Sequence, residues 1–268
     1  MKIIISHDVD HISAYEHFSD LFLFKYFIRN ILELLNKGIP YIEFKKRTLN
    51  ILHDKFNNIE SLLNYDKEHS VKPTFFIGVN KALNLSYNPE QAKKWIDFLF
   101  NDEIPVYIHG IKYDTYEGIL EEKESFKKLS GAYSLGIRMH YLRTNDKTNL
   151  NLAKAGYRFD STVFSLVDPY KIENLWEFPI SMMDSYLIYG ESKHQTKSME
   201  QIKNETIQCI EKAKYLGIQY FTIITHDFYF SDSFRKFYDW FIWLIDYLIL
   251  HNFEFINFDD AIKELDCK

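Results

Sequence analysis

Eight short apolar runs punctuate this chain: KIIIS (2–6), PTFFIG (73–78), IPVYIH (104–109), YSLGIR (133–138), YRFDST (157–162), WEFPIS (176–181), QYFTIIT (219–225) and FEFINF (253–258). Between most of them lie segments whose apolar residues recur every three or four positions, at 17–36, 46–66, 89–101, 115–129, 147–155, 198–215, 232–250 and 259–265. The first pattern predicts buried strands and the second helices with one apolar face. Start signals support the assignment: Asn88 is placed to cap a helix, with Pro89 at its first position and Glu90 and Gln91 just behind. Repeated strand–helix alternation predicts an α/β chain of parallel strands, closed or nearly closed into a barrel of about seven to eight strands. An open, doubly wound sheet is the alternative, but no glycine-rich phosphate loop follows the first strand. No repeat, low-complexity tract or Pro/Gly-rich linker divides the sequence, so residues 1–268 are expected to form one domain, and an apolar content of 46% is enough for a full core.

In parallel β/α folds the chemistry collects where strands end. Here His7, Asp8, Asp10 and His11 follow the first run, His109 ends the third, Arg138 the fourth, Asp160 the fifth and His226 the seventh. Asp8 and Asp10 lie two apart, so in extended backbone they point the same way while Val9 turns to the other side. Alone, the pair reads as a turn-forming cap. The rival to that favoured reading is one metal ligand and one base, because two close carboxylates rarely both stay ionised without a partner. A lone His109 is more often a hydrogen-bonded structural residue, and His226–Asp227 is weak by itself. Four strand ends carrying His, Asp and Arg together are hard to explain as packing.

In order along the chain, SHDVD, PTFFIGVN, EIPVYIHG, GIRMHYLR, AGYRFDST, LWEFPISMMD and IITHD resemble the motifs of the polysaccharide deacetylases of carbohydrate esterase family 4. HDVDH, R-x-HYLR and DST look most like the bacterial branch found with surface-polysaccharide biosynthesis genes. The resemblance implies a distorted (β/α) barrel and an enzyme that removes an N-acetyl or other acyl group from an amino sugar or glycan precursor. It implies Asp8 as general base, Arg138 as the residue that holds it, and His226 as the acid that protonates the leaving amine. Asp10 and His109 would be ligands of a divalent metal, zinc above all. Such an ion lowers the pKa of water toward about 7 and polarises an amide carbonyl. The family supplies a second His four residues after the first, where this chain has Tyr113. The third ligand is then expected from His140, Asp114 or His11, with His140 standing where the strand-four motif is altered. Two rival readings follow from Tyr113: a metal-independent hydrolase of a cyclic amide, and a degenerate domain that binds a glycan or partner.

The remaining features are blander. Net charge is −6 with no basic block, which argues against a nucleic-acid partner. Cys209 and Cys267 are too few and too far apart for a disulfide framework. The apolar start is too short for a secretory leader, so a cytoplasmic location is expected. Residues 237–250 are strongly apolar, but fall short of the ~20 residues a span requires and lack a Lys/Arg-rich polar face, so a buried helix is expected. His17, His53, His69, His194 and His251 are expected in surface or local roles, Trp176 in the core. Tyr141 fits either core or site, and Asp160 either a cap or the site.

Overall fold

The computed structural model describes residues 1–190 and 194–267. Among them, ten strands form one sheet: β1 (Lys2–Val9), β2 (Thr74–Ile77), β3 (Val106–Gly110), β4 (Gly136–Met139), β5 (Phe159–Asp160), β6 (Tyr170–Ile172), β7 (Leu175–Glu177), β8 (Ile180–Met183), β9 (Tyr220–His226) and β10 (Glu254–Phe255). The spatial order is β6-β7-β5-β4-β3-β2-β1-β9-β8. Every pairing is parallel except the β6–β7 hairpin. β10 sits beside the start of β1, at Lys2 and Ile3, below the point where β2 takes over that edge at Ser6.

The sheet curls until its flanks touch. Phe164, just past β5, bridges in parallel to Ile180 of β8, and the Ile180 N–H donates to the Val163 carbonyl at 2.7 Å. The expected barrel is therefore present, distorted where this short bridge stands in for a full ladder.

Strand alternation divides each strand between two apolar layers. Ile4, Phe76, Tyr107, Phe159, Phe178 and Tyr220 fill the barrel interior, and Phe258 of the last helix (Phe258–Asp266) plugs its base, stacked on Phe159 with ring centroids 4.6 Å apart. Gly136 makes room for this packing: a Cβ there would lie 2.1 Å from the Phe159 ring. Ile3, Ile5 and Val9 face the opposite way, into the larger layer beneath the helices. That layer includes Phe237, Trp240, Phe241, Leu244, Ile245 and Leu248 of the helix Arg235–Leu250, which is the buried helix expected from the apolar stretch.

Two expected helices are built differently. The segment 46–66 is not one helix but two, Tyr41–Leu52 and Ile59–Glu68. The break is tertiary in origin. Asp54 takes a positive φ of 53°, its carboxylate accepts from the Ala14 N–H at 2.6 Å and the Ser13 hydroxyl at 2.7 Å, and Phe56 plunges into the core. The segment 17–36 starts as a short turn, Ala14–His17, and continues as the helix Phe22–Leu35. The helix Pro89–Asn101 has the Asn88 capping box that its sequence announces.

Candidate active site

β1 sends Ile4 and Ser6 into the barrel, and then Asp8 to its C-terminal mouth. His7, on the other face, is buried under the helices, its Nε2 2.8 Å from Asp66 Oδ2 and its Nδ1 2.7 Å from Thr225 Oγ1. Of the four clustered titratable residues, His7 thus belongs to the packing.

Arg138, fully buried on β4, lies with its guanidinium 4.1 Å above the Phe76 ring. Its Nη1 donates to Asp8 Oδ1 at 2.7 Å, while Nε and Nη2 donate to the carbonyl and hydroxyl of Ser161, both at 2.9 Å. Burial pushes the Asp8 carboxyl up, but the charges of Arg138, His109 and His226 outweigh it and hold Asp8 below its ordinary value. Asp8 is therefore an ionised, fixed acceptor at the mouth.

Asp10, His109 and His140 bring one donor atom each to a common point, all within 4.8 Å of one another. Asp10 Oδ1 stands 3.2 Å from His109 Nε2 and 3.3 Å from His140 Nδ1, and the two imidazole nitrogens are 2.9 Å apart. The far nitrogens define the tautomers. His109 Nδ1–H donates to the Arg138 carbonyl at 3.1 Å and His140 Nε2–H to the Leu83 carbonyl at 3.0 Å. In the neutral rings the lone pairs therefore face each other beside a carboxylate, a donor set that a divalent cation would satisfy. Asp10 Oδ1 is buried and has no partner in hydrogen-bond geometry. Burial pushes its carboxyl up, yet His140 and His109 hold it well below the usual range. Burial likewise lowers His140, but Asp10 and the Leu83 carbonyl raise it overall. Two imidazoles and a carboxylate converging on one point fit a divalent metal such as zinc.

Local strain aims His140. Tyr141 and Leu142 follow it at φ 57° and 53°, and Leu83 and Asn84 sit at φ 55° and 71°. The two left-handed turns brace each other, His140 donating to Leu83 and Asn84 Nδ2 to the Tyr141 hydroxyl at 2.9 Å. Non-glycine residues in that region are retained where surroundings over-determine them, commonly at sites.

The other two ligand candidates go elsewhere. Asp114 is solvent-exposed and outside the converging group, just before the helix Tyr116–Ser130. The chain leaves the mouth at Ile111, where Glu122 binds the backbone N–H, which sets Asp114 apart from the three converging donors. Tyr113 lies under the Arg143 guanidinium at 5.0 Å. His11 turns to His17, its Nδ1 2.9 Å from His17 Nε2, and His17 in turn meets Asp20 at 2.7 Å. Although His11, Glu16 and His17 also cluster, both Glu16 oxygens already accept backbone N–H groups, from Ile12 and Ser13.

His226, at the end of β9, points its Nε2 to 3.8 Å from Asp10 Oδ2. Its Nδ1 is 2.8 Å from Asp184 Oδ1, and its N–H donates to Asp184 Oδ2 at 2.8 Å. Burial opposes its charged form, but Asp184, Asp10 and Asp8 raise it to about 10. Asp184, quoted in the LWEFPISMMD motif but given no role by the sequence reading, directly follows β8, and the strand-end rule that selected the other residues would have singled it out. Asp227 is not at the mouth; it accepts from the Asn58 N–H at 3.1 Å.

Asp160 also turns away from the mouth and pairs in register with Glu177 of β7. Burial raises both carboxyls, Asp160 to about 6 and Glu177 well above its usual value, the Asp160 charge adding to the latter. The folded pair keeps a proton that the unfolded chain gives up above about pH 4, so its stabilising effect fades as pH rises toward and past 6. Glu177→Gln keeps the oxygen that accepts from the Thr162 and Val163 N–H groups. It is expected to stabilise the protein at pH 8 by on the order of 1–2 kcal/mol and to change little at pH 4. Denaturant melts at the two pH values check this.

No family model matches the chain. No curated protein matches it. Solved structures do. A protein described as a polysaccharide deacetylase from Mycobacterium smegmatis superposes with a TM-score of 0.66 at 14% identity, over 98% of this chain and 88% of the other. One similarly described, from Pseudomonas aeruginosa PAO1, gives 0.62 at 13% identity, over 97% and 88%. The PuuE allantoinase gives 0.61 at 14% identity, over 97% and 87%. The chain therefore has the polysaccharide-deacetylase fold.

Proposed function

We propose that the protein is a divalent-metal-dependent hydrolase that removes an N-acetyl group from an amino sugar or glycan precursor in the cytoplasm, in the making of a surface polysaccharide. The observation that carries this reading is the meeting of Asp8, Asp10, His109, Arg138, His140 and His226 at one mouth, from segments far apart in sequence. Two structural neighbours described as polysaccharide deacetylases support it.

Asp10, His109 and His140 would hold the metal, which supplies a Lewis acid for the amide carbonyl and a water of lowered pKa. Asp8, pinned by Arg138, takes the proton from the attacking water. It cannot swing away, because the guanidinium is itself fixed to Ser161. His226, cationic and held by Asp184, gives its Nε2 proton to the leaving amine. Base and acid are register partners on the neighbouring strands β1 and β9. Phe164 and Tyr186, exposed and in edge contact at 5.0 Å between ring centroids, follow β5 and β8 and offer an aromatic surface to a sugar ring.

The test is acetate release from N-acetylated amino sugars, free, nucleotide-linked and lipid-linked, with zinc present and after chelation. Release is expected to fall at least 100-fold on chelation and to return with metal. Absence of release from every such substrate, with about one metal per chain confirmed by elemental analysis, would overturn the reading. Release that survives chelation would favour the metal-independent ring-amide chemistry, for which the allantoinase neighbour is the supporting likeness.

A further inference from the structure

Two helices near the mouth are built inside out. In Phe22–Leu35 the buried positions are Tyr26, Asn30 and Glu33, whereas Phe24, Ile28, Leu32 and Leu35 face solvent. In Tyr41–Leu52 the buried positions are Glu43 and Arg47, and Tyr41, Ile42, Leu49 and Leu52 are exposed. Phe24, Leu35, Tyr41 and Leu52 each show 65–70% of their surface. The inward polar groups satisfy one another: Arg47 donates to Asn30 at 2.9 Å, Glu33 at 2.8 Å, Glu43 at 2.6 Å and the Ser233 carbonyl at 2.8 Å. A helix pair that turns its ion pairs inward and its leucines outward is arranged for an apolar surrounding on its outer side.

Charge identifies that surrounding. Residues 21–52 hold six basic side chains, Lys25, Arg29, Lys37, Lys45, Lys46 and Arg47, and two acidic ones, Glu33 and Glu43. Both acids are buried, and of the bases Arg47 alone is. Lys46 pairs with the exposed Asp232 at 2.6 Å and the half-buried Arg29 with Glu33 at 3.5 Å, so the exposed charge that the two helices themselves add beyond these pairs, at Lys25, Lys37 and Lys45, is positive in a chain of net charge −6. A two-fold dimer through the same face would set base against base. We infer that the helix pair Phe22–Leu35 and Tyr41–Leu52 docks the protein on the surface of an anionic lipid bilayer, its apolar side chains sunk among the acyl chains and its lysines among the headgroups.

The face borders a cavity on its way toward the segment that carries Asp10. This cavity of about 200 Å³ is lined by His11, Phe22, Lys25, Tyr26, Arg29 and Tyr229, among others, and His11 adjoins Asp10. If the hydrolytic reading holds, docking presents the site to glycan precursors carried on lipid; docking itself does not depend on that reading.

The experiment is flotation of the purified full chain with vesicles of phosphatidylglycerol and phosphatidylethanolamine, against vesicles of phosphatidylcholine. At least tenfold more protein is expected to float with the anionic vesicles. Phe24→Ser with Leu35→Ser is expected to lose at least tenfold of that. Lys25→Glu with Lys45→Glu is expected to abolish the preference for anionic lipid, with melting temperatures unchanged in both variants. The inference is overturned if wild type does not float with anionic vesicles, or if both pairs of substitutions leave flotation intact. It is likewise overturned if light scattering shows a dimer that the serine substitutions dissolve while no vesicle recovers protein. The readout needs no turnover, so its failure is separate from any failure of the proposed chemistry.

Discussion

Asp8→Asn is expected to lower kcat by roughly 10²- to 10⁴-fold, the range a positioned general base supplies, with little change in KM. The side chain keeps its shape and an oxygen for Arg138, but loses the negative charge that the arginine, His109 and His226 hold in place. Asp8 is not among the three converging donors, so bound metal should stay at the wild-type amount. Initial rates and elemental analysis on one preparation separate the two effects. Activity within threefold of wild type would remove Asp8 from the role of base. Loss of the metal would instead make Asp8 a ligand.

The second large effect is on stability. Arg138→Leu removes the cation from a fully buried pair and leaves Asp8 charged beside an apolar wall. Breaking such a pair from one side costs roughly 3–5 kcal/mol, a fall in Tm on the order of 10 °C for a chain of this size. The double variant Asp8→Asn, Arg138→Leu has no charge left to strand and should recover part of that loss. A double-mutant cycle by denaturant melts measures the coupling. Additive losses would mean that Arg138 matters chiefly through its packing on Phe76 and its bonds to Ser161.

Much of the barrel could be read from the chain because strand alternation is a local pattern. KIIIS, IPVYIH and QYFTIIT each carry their own evidence of burial. The single helix expected over 46–66 failed because the signal that splits it lies elsewhere: Asp54 answers to Ser13 and Ala14, about 40 residues earlier in the chain. The β6–β7 hairpin and the short helix Asp184–Tyr189 are likewise set by their surroundings. Of the residues announced by strand ends, the structure gathers Asp8, Asp10, His109, Arg138 and His226 at the mouth and turns His7, His11 and Asp160 elsewhere. What sequence left open was direction. Spacing alone could not choose among His140, Asp114 and His11, because the choice depends on where the chain turns after β3 and β4. Asp184 meets the strand-end rule, but its role as the partner of His226 depends on β8 lying beside β9.

The source of the third donor has a consequence for how this mouth can change. On the proposed reading, the imidazole of His140, just past β4 and steadied by the turn at Leu83–Asn84, relieves the stretch 112–115 of any duty toward a cation. Insertions or exchanges in that stretch would leave the hydrolytic apparatus intact. Lying past the point where the chain leaves the mouth, it is a segment a lineage could remould at little risk to the proposed turnover.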